Sequence, residues 1–89
     1  MIIKKHKLFD KSYLKLSQKL KLKVNETLVL ITKNHFDKKL NNHALKGDFI
    51  GLRSINVTGD YRIIFKEISD NNYEIIELLK IGTHSELYK

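Results

Sequence analysis

The 89-residue chain contains no cysteine and no proline. Without thiols it has neither disulfides nor thiolate metal sites, a usage that fits a reducing cytoplasm. Its longest aliphatic run, Leu28-Val29-Leu30-Ile31, falls far short of the roughly 20 residues of a membrane span. The basic segment Met1 to Lys7 is not followed by the apolar stretch of about 7 to 15 residues that a signal peptide requires. No repeat or low-complexity tract is visible, and no segment is depleted enough in apolar residues to read as disordered. These absences predict a soluble, cytoplasmic protein with no membrane partner, ordered nearly to both ends. A chain this short buries only somewhat more than roughly 60% of its unfolded surface. It therefore reads as a single domain, residues 1 to 89, whose active site would be a surface groove.

The chain does carry charge, at a net +7, unevenly distributed. Up to Lys46 there are twelve lysines against Asp10, Glu26 and Asp37; beyond it, five Lys or Arg face seven Asp or Glu. A positive field concentrated in one half suits a polyanion, because each neutralised phosphate releases counterions and the field steers encounter. A lysine-rich solvated helical surface would produce the same count.

Periodicity predicts the elements. Met1 to Lys5 reads as a short strand. Phe9, Tyr13, Leu16 and Leu20 recur at helical spacing with Lys11, Lys15 and Lys19 opposite, the signature of an amphipathic helix. The phase shifts around Lys21 to Lys23, and Val24, Leu28, Ile31 and His35 make a second stripe, so two helices in antiparallel contact are expected. Asn41-Asn42 signals a turn. Phe49 to Val57, Asp60 to Ile68 and Tyr73 to Ile81 are rich in Ile, Phe and Tyr and are separated by turn residues, as in a three-stranded meander. The order β-α-α-β-β-β predicts a two-layer α+β fold, two N-terminal helices packed on a mainly antiparallel sheet.

Alternation along Gly59-Asp60-Tyr61-Arg62-Ile63-Ile64-Phe65 places Asp60 and Arg62 on one face and Tyr61, Ile63 and Phe65 on the other. His84 and Tyr88 follow the last strand just beyond Gly82. A His, an Asp, an Arg and a Tyr converging at strand ends is a set that can bind and cleave a phosphodiester. The plain alternatives are an exposed loop histidine at His84 and a surface ion pair between Asp60 and Arg62 worth about 0 to 1 kcal/mol. His6 and His35 read as structural, and no histidine pair has the spacing of a zinc site.

His43-Ala44-Leu45-Lys46-Gly47, Arg53 to Val57, Gly59-Asp60-Tyr61-Arg62 and Gly82-Thr83-His84-Ser85-Glu86-Leu87-Tyr88 together resemble the RelE/ParE toxin superfamily, closest to its YafQ-like branch, over essentially the whole chain. The resemblance implies a RelE-like fold and a toxin of a bacterial type II toxin-antitoxin system. It implies a ribosome-dependent mRNA endonuclease, held inactive by a cognate antitoxin and working without a metal ion or other cofactor. The implied reaction is attack by a ribose 2′-hydroxyl on the adjacent phosphorus. His84 matches a catalytic histidine of the branch and is the expected general acid, an imidazole being able to give up a proton near neutral pH. Asp60 and His43 match further catalytic positions, and either fits the base. Arg62 sits where the RelE branch has an arginine suited to the non-bridging oxygens. Lys46 and Arg53 are expected to supply phosphate contacts, and Tyr88 to stack on a base or sit near the 2′-oxygen. This chain departs from the branch at Asn56, where a histidine is usual, and at Ser54, where an acid is usual. Asn56 can contact RNA through hydrogen bonds but cannot shuttle a proton. Two alternatives follow: a ParE-like inhibitor that blocks DNA gyrase by binding alone, or a catalytically weakened relative that only binds RNA or antitoxin.

Overall fold

The computed structural model describes residues 1–88. The chain runs β1 (Ile2–Lys5), α1 (Lys7–Leu14), α2 (Gln18–Lys33), a 3₁₀ turn (Lys38–Leu40), β2 (His43–Ala44), a second 3₁₀ turn (Gly47–Phe49), β3 (Arg53–Asn56), β4 (Tyr61–Glu67), β5 (Ile75–Thr83) and α3 (His84–Leu87). The five strands form one sheet in the order β1-β5-β4-β3-β2. β1 lies parallel to β5 and all other neighbours are antiparallel. The α+β class and the three-stranded meander are as the sequence predicts; the two-residue β2 and the terminal α3 are additions.

The break between the helices falls at Lys15 to Ser17, earlier than the shift at Lys21 to Lys23 suggests. Ser17 is extended (φ −63°, ψ 159°) and its Oγ accepts from the Leu20 N–H at 3.2 Å. A serine that satisfies one of the free N–H groups at a helix start favours a new helix over continuation of the old. His6 caps α1 likewise, its Nδ1 accepting from the Leu8 N–H at 3.1 Å. The Tyr13 hydroxyl donates to Asn25 Oδ1 at 3.1 Å and links the two helices. His35 lies beyond the end of α2, not on its stripe.

One face of the sheet carries the core. Ile55, Ile63 and Ile81 form a row across three strands, joined by Phe65, Ile76 and Leu78 and closed by Phe9, Val24, Ile31 and Leu40 from the helical side. The register slips between Ile64 and Phe65, leaving Leu79 unmatched on β5. This extra residue lets Ile76, Leu78 and Ile81 all face the helices despite their uneven spacing. On the other face His43, Ser54, Ile64 and Lys80 are aligned across β2, β3, β4 and β5. Ile64 and Ser54 are fully buried there, so this face is also partly covered. Gly82, Ser54 and Asn56 share it with Arg62.

No described helix is long and apolar enough to cross a membrane. The lysines of α1 and α2 are mostly exposed, and the ion pair formed among the described residues is Lys23 with Glu26 at 3.8 Å.

Candidate active site

Three short stretches of chain bring the predicted residues to the second face. In the first, β2 pairs His43 with Ser54. In the second, the turn from Val57 to Asp60 is closed by the Thr58 hydroxyl, which accepts from the N–H groups of Asp60 (3.3 Å) and Tyr61 (3.1 Å). The carbonyls of Thr58 and Gly59 then accept from Arg62 Nη1 at 3.3 and 3.2 Å. Arg62 is thus anchored by main chain, with its Nε and Nη2 hydrogens uncommitted to these bonds. In the third, Thr83 and Glu86 form a reciprocal capping box: Thr83 Oγ1 accepts from the Glu86 N–H at 3.2 Å, and Glu86 Oε1 from the Thr83 N–H at 2.8 Å. This pair ends β5 and starts α3. The His84 ring then lies 4.7 Å from that of Tyr88, which meets Phe49 edge to face at 5.3 Å.

His43, Leu45, Ser54, Arg62, His84 and Tyr88 line one open groove of about 250 Å³. Its lining holds two imidazoles and a guanidinium and no carboxylate, a donor set suited to an anion. A larger groove of about 440 Å³ runs between α2 and the end of β3, with Lys23, Glu26, Lys33, Lys39 and Asn56 in its wall. It has no histidine. Another, of about 370 Å³, lies between α1, β5 and α3, beside Leu8, Lys11 and Leu87. Acid-base chemistry therefore points to the smallest of the three.

Of the residues singled out from sequence, His43, Arg62, His84 and Tyr88 come together. Four others do not line this groove. Asp60 is exposed in the turn before β4, and Arg62 is bonded to carbonyls rather than to it. Lys46 is exposed at the start of the second 3₁₀ turn. Asn56 lines the larger groove, its Oδ1 buried without a hydrogen-bond partner.

Arg53 is turned to the helical side of the sheet. Its Nε donates to Asn42 Oδ1 at 2.8 Å and its guanidinium sits over the Phe36 ring at 5.6 Å. Asn42 Nδ2 in turn donates to the His35 carbonyl (2.8 Å) and the Tyr73 hydroxyl (3.1 Å). His35 and Tyr73 stack at 3.9 Å between ring centroids. The expected phosphate contact at Arg53 is thus engaged in a structural cluster, because an odd position in β3 shares the face of Ile55, not of Ser54.

Sequence reasoning missed several of the groove's supports: Phe49, the carbonyls of Thr58 and Gly59, and the carbonyl of Asn41, which lies 2.7 Å from His43 Nδ1. Ser54, noted only as a departure from the family pattern, has a buried hydroxyl with no partner. The Asn41-Asn42 turn signal and the turn residues before Asp60 hinted at some of them. Glu67, at the far end of β4, is also structural. Burial disfavours its charge, but the Ser69 hydroxyl and the N–H groups of Asn71, Ser69 and Tyr73 outweigh that and hold its carboxyl below the usual range. Among the described residues no three His, Asp or Glu side chains gather where they could hold a metal ion.

Solved structures of known proteins share this fold. The crystal structure of YafQ from E. coli strain BL21(DE3) superposes with a TM-score of 0.78 at 23% identity, over 98% of this chain and 97% of that one. The E. coli DinJ-YafQ toxin-antitoxin complex gives 0.75 at 24%, over 98% and 96%. A metal-bound toxin from Helicobacter pylori gives 0.68 at 27%, over 99% of both chains. No curated protein sequence matches. The family model described as bacterial toxin of type II toxin-antitoxin system, YafQ, matches residues 1–89, and the chain belongs to that family.

Proposed function

We propose that this toxin is a ribosome-dependent mRNA endonuclease whose reaction runs in the groove of His43, Arg62, His84 and Tyr88. The observation that carries the reading is the pairing of two imidazoles with an anchored guanidinium on one anion-suited groove. The 2′-hydroxyl oxygen attacks the adjacent phosphorus while its proton passes to His43. The bond from phosphorus to the 5′-oxygen breaks, and His84 gives that oxygen a proton. The products are a 2′,3′-cyclic phosphate and a free 5′-hydroxyl, so atoms and charge balance without an external reactant. Arg62 holds the non-bridging oxygens through Nε and Nη2, where charge builds in the transition state. Tyr88, beside His84, offers a ring for a base to stack on.

His43 takes the base role in preference to Asp60 because Asp60 stands outside the groove. The lysines of α1 and α2 supply the field that draws the toxin to ribosomal RNA. The likeness to the DinJ-YafQ complex supports a cognate antitoxin as the partner that restrains the toxin. Expression of His84→Ala beside the wild type tests the assignment. Loss of toxicity with an unchanged circular dichroism spectrum, and wild-type products bearing 5′-hydroxyl ends, are expected. A toxic His84→Ala protein with broken DNA and intact mRNA would establish gyrase poisoning instead.

A further inference from the structure

His43 is held from two sides. Its strand pairs with β3, placing its side chain on the groove face, while Asn42 before it is locked on the opposite face by His35, Tyr73 and Arg53. The ring itself is tied to main chain, with Nδ1 2.7 Å from the Asn41 carbonyl oxygen. A carbonyl oxygen only accepts, so Nδ1 carries a hydrogen whether the ring is neutral or protonated. The proton that comes and goes is therefore the one on Nε2, the pattern in which a hydrogen bond at one ring nitrogen decides the work of the other.

Asn41 offers that carbonyl because of an unusual backbone. It closes the first 3₁₀ turn in the left-handed region (φ 46°, ψ 47°), with its own N–H bonded to the Lys38 carbonyl at 3.2 Å. Asparagine and glycine enter this region readily; β-branched residues do so only under strain. An extended residue there would swing the following carbonyl away from the ring.

We infer that Asn41 is a positioning residue: its left-handed main chain holds His43 as the Nδ1–H tautomer, leaving Nε2 to take the proton of the ribose 2′-hydroxyl. The identity of the substrate rests on the nuclease reading; the tautomer does not. Long-range ¹H–¹⁵N spectra of the imidazoles in the full chain, at a pH where the rings are neutral, read it directly. The wild type and Asn41→Gly are expected to show Nδ1–H at His43 and equal cleavage rates. Asn41→Val is expected to shift His43 towards Nε2–H and to lower the cleavage rate constant at least tenfold, since general-base catalysis contributes about 10²- to 10⁴-fold. Asn41→Ala serves if the valine variant does not fold. An Nε2–H wild type that cuts mRNA, or full activity in Asn41→Val, overturns this inference. A wild type with the Nδ1–H tautomer that cuts no mRNA overturns the nuclease reading and the base role with it.

Discussion

Replacing Arg53 and Asn42 by alanine, singly and together, separates a structural arginine from an RNA-binding one. Arg53→Ala removes the 2.8 Å bond to Asn42 Oδ1 and the contact over Phe36. A hydrogen bond from a charged donor contributes about 1.5 kcal/mol at the low end suited to a half-buried pair, and the cation-ring contact about 0.5 kcal/mol more. The expected loss is about 2 kcal/mol, a fall in Tm of roughly 8 to 16 °C for a domain of this size. Asn42→Ala also removes the bonds to the His35 carbonyl and the Tyr73 hydroxyl, about 1 kcal/mol each, for a total near 3.5 kcal/mol. The double mutant should lose about 1.5 kcal/mol less than the sum of the single variants, because the shared bond is counted twice. Urea denaturation followed by circular dichroism at neutral pH, with m unchanged, measures all three. Additivity within about 0.3 kcal/mol would refute the bond's role. Folded Arg53→Ala that no longer cleaves mRNA would return Arg53 to the substrate.

Glu67 predicts a pH dependence. Its carboxyl sits below the usual range in the fold, so its contribution is fully present above the unfolded value of about 4.3 and is lost as pH falls from there through the lowered native value. Glu67→Gln should flatten the acid limb of a Tm-against-pH curve in that window; an unchanged slope would contradict the assignment. At Gly82 an added Cβ would lie 3.3 Å from Glu86 Oε1 and 3.4 Å from Glu86 Cβ. Gly82→Ala should therefore push α3 outward and lower cleavage by more than the small loss of stability explains, which rates measured well below Tm would reveal.

The meander and the α+β class were legible because alternation and helical spacing are strong over these segments. The helix break was not, since the apolar stripe continues through Leu16 to Leu20 while a single Ser17 hydroxyl decides the boundary. The faces of β3 were harder still. Arg53 and Ser54 are adjacent, and which of them looks into the groove depends on a register that only pairing with β4 sets. Within Ser69 to Tyr73, Asp70, Asn71 and Tyr73 all take positive φ, at 55°, 66° and 58°, around N–H groups aimed at the Glu67 carboxylate. Asn and Asp announce such a turn, but a tyrosine does not, so Tyr73 was read as a strand residue. His84, Arg62, His43 and Tyr88, which line one groove, were named as candidates from family resemblance combined with strand ends. Asp60, named from family position as well as alternation, shares Arg62's alternation but precedes the strand and lies outside the groove.

The most direct test maps mRNA 5′ ends by primer extension in a bacterial translation extract, with wild type and folded His84→Ala side by side. Cuts within translated codons that disappear in the mutant are predicted. Intact mRNA with wild-type protein, or the same cuts with His84→Ala, would contradict the account.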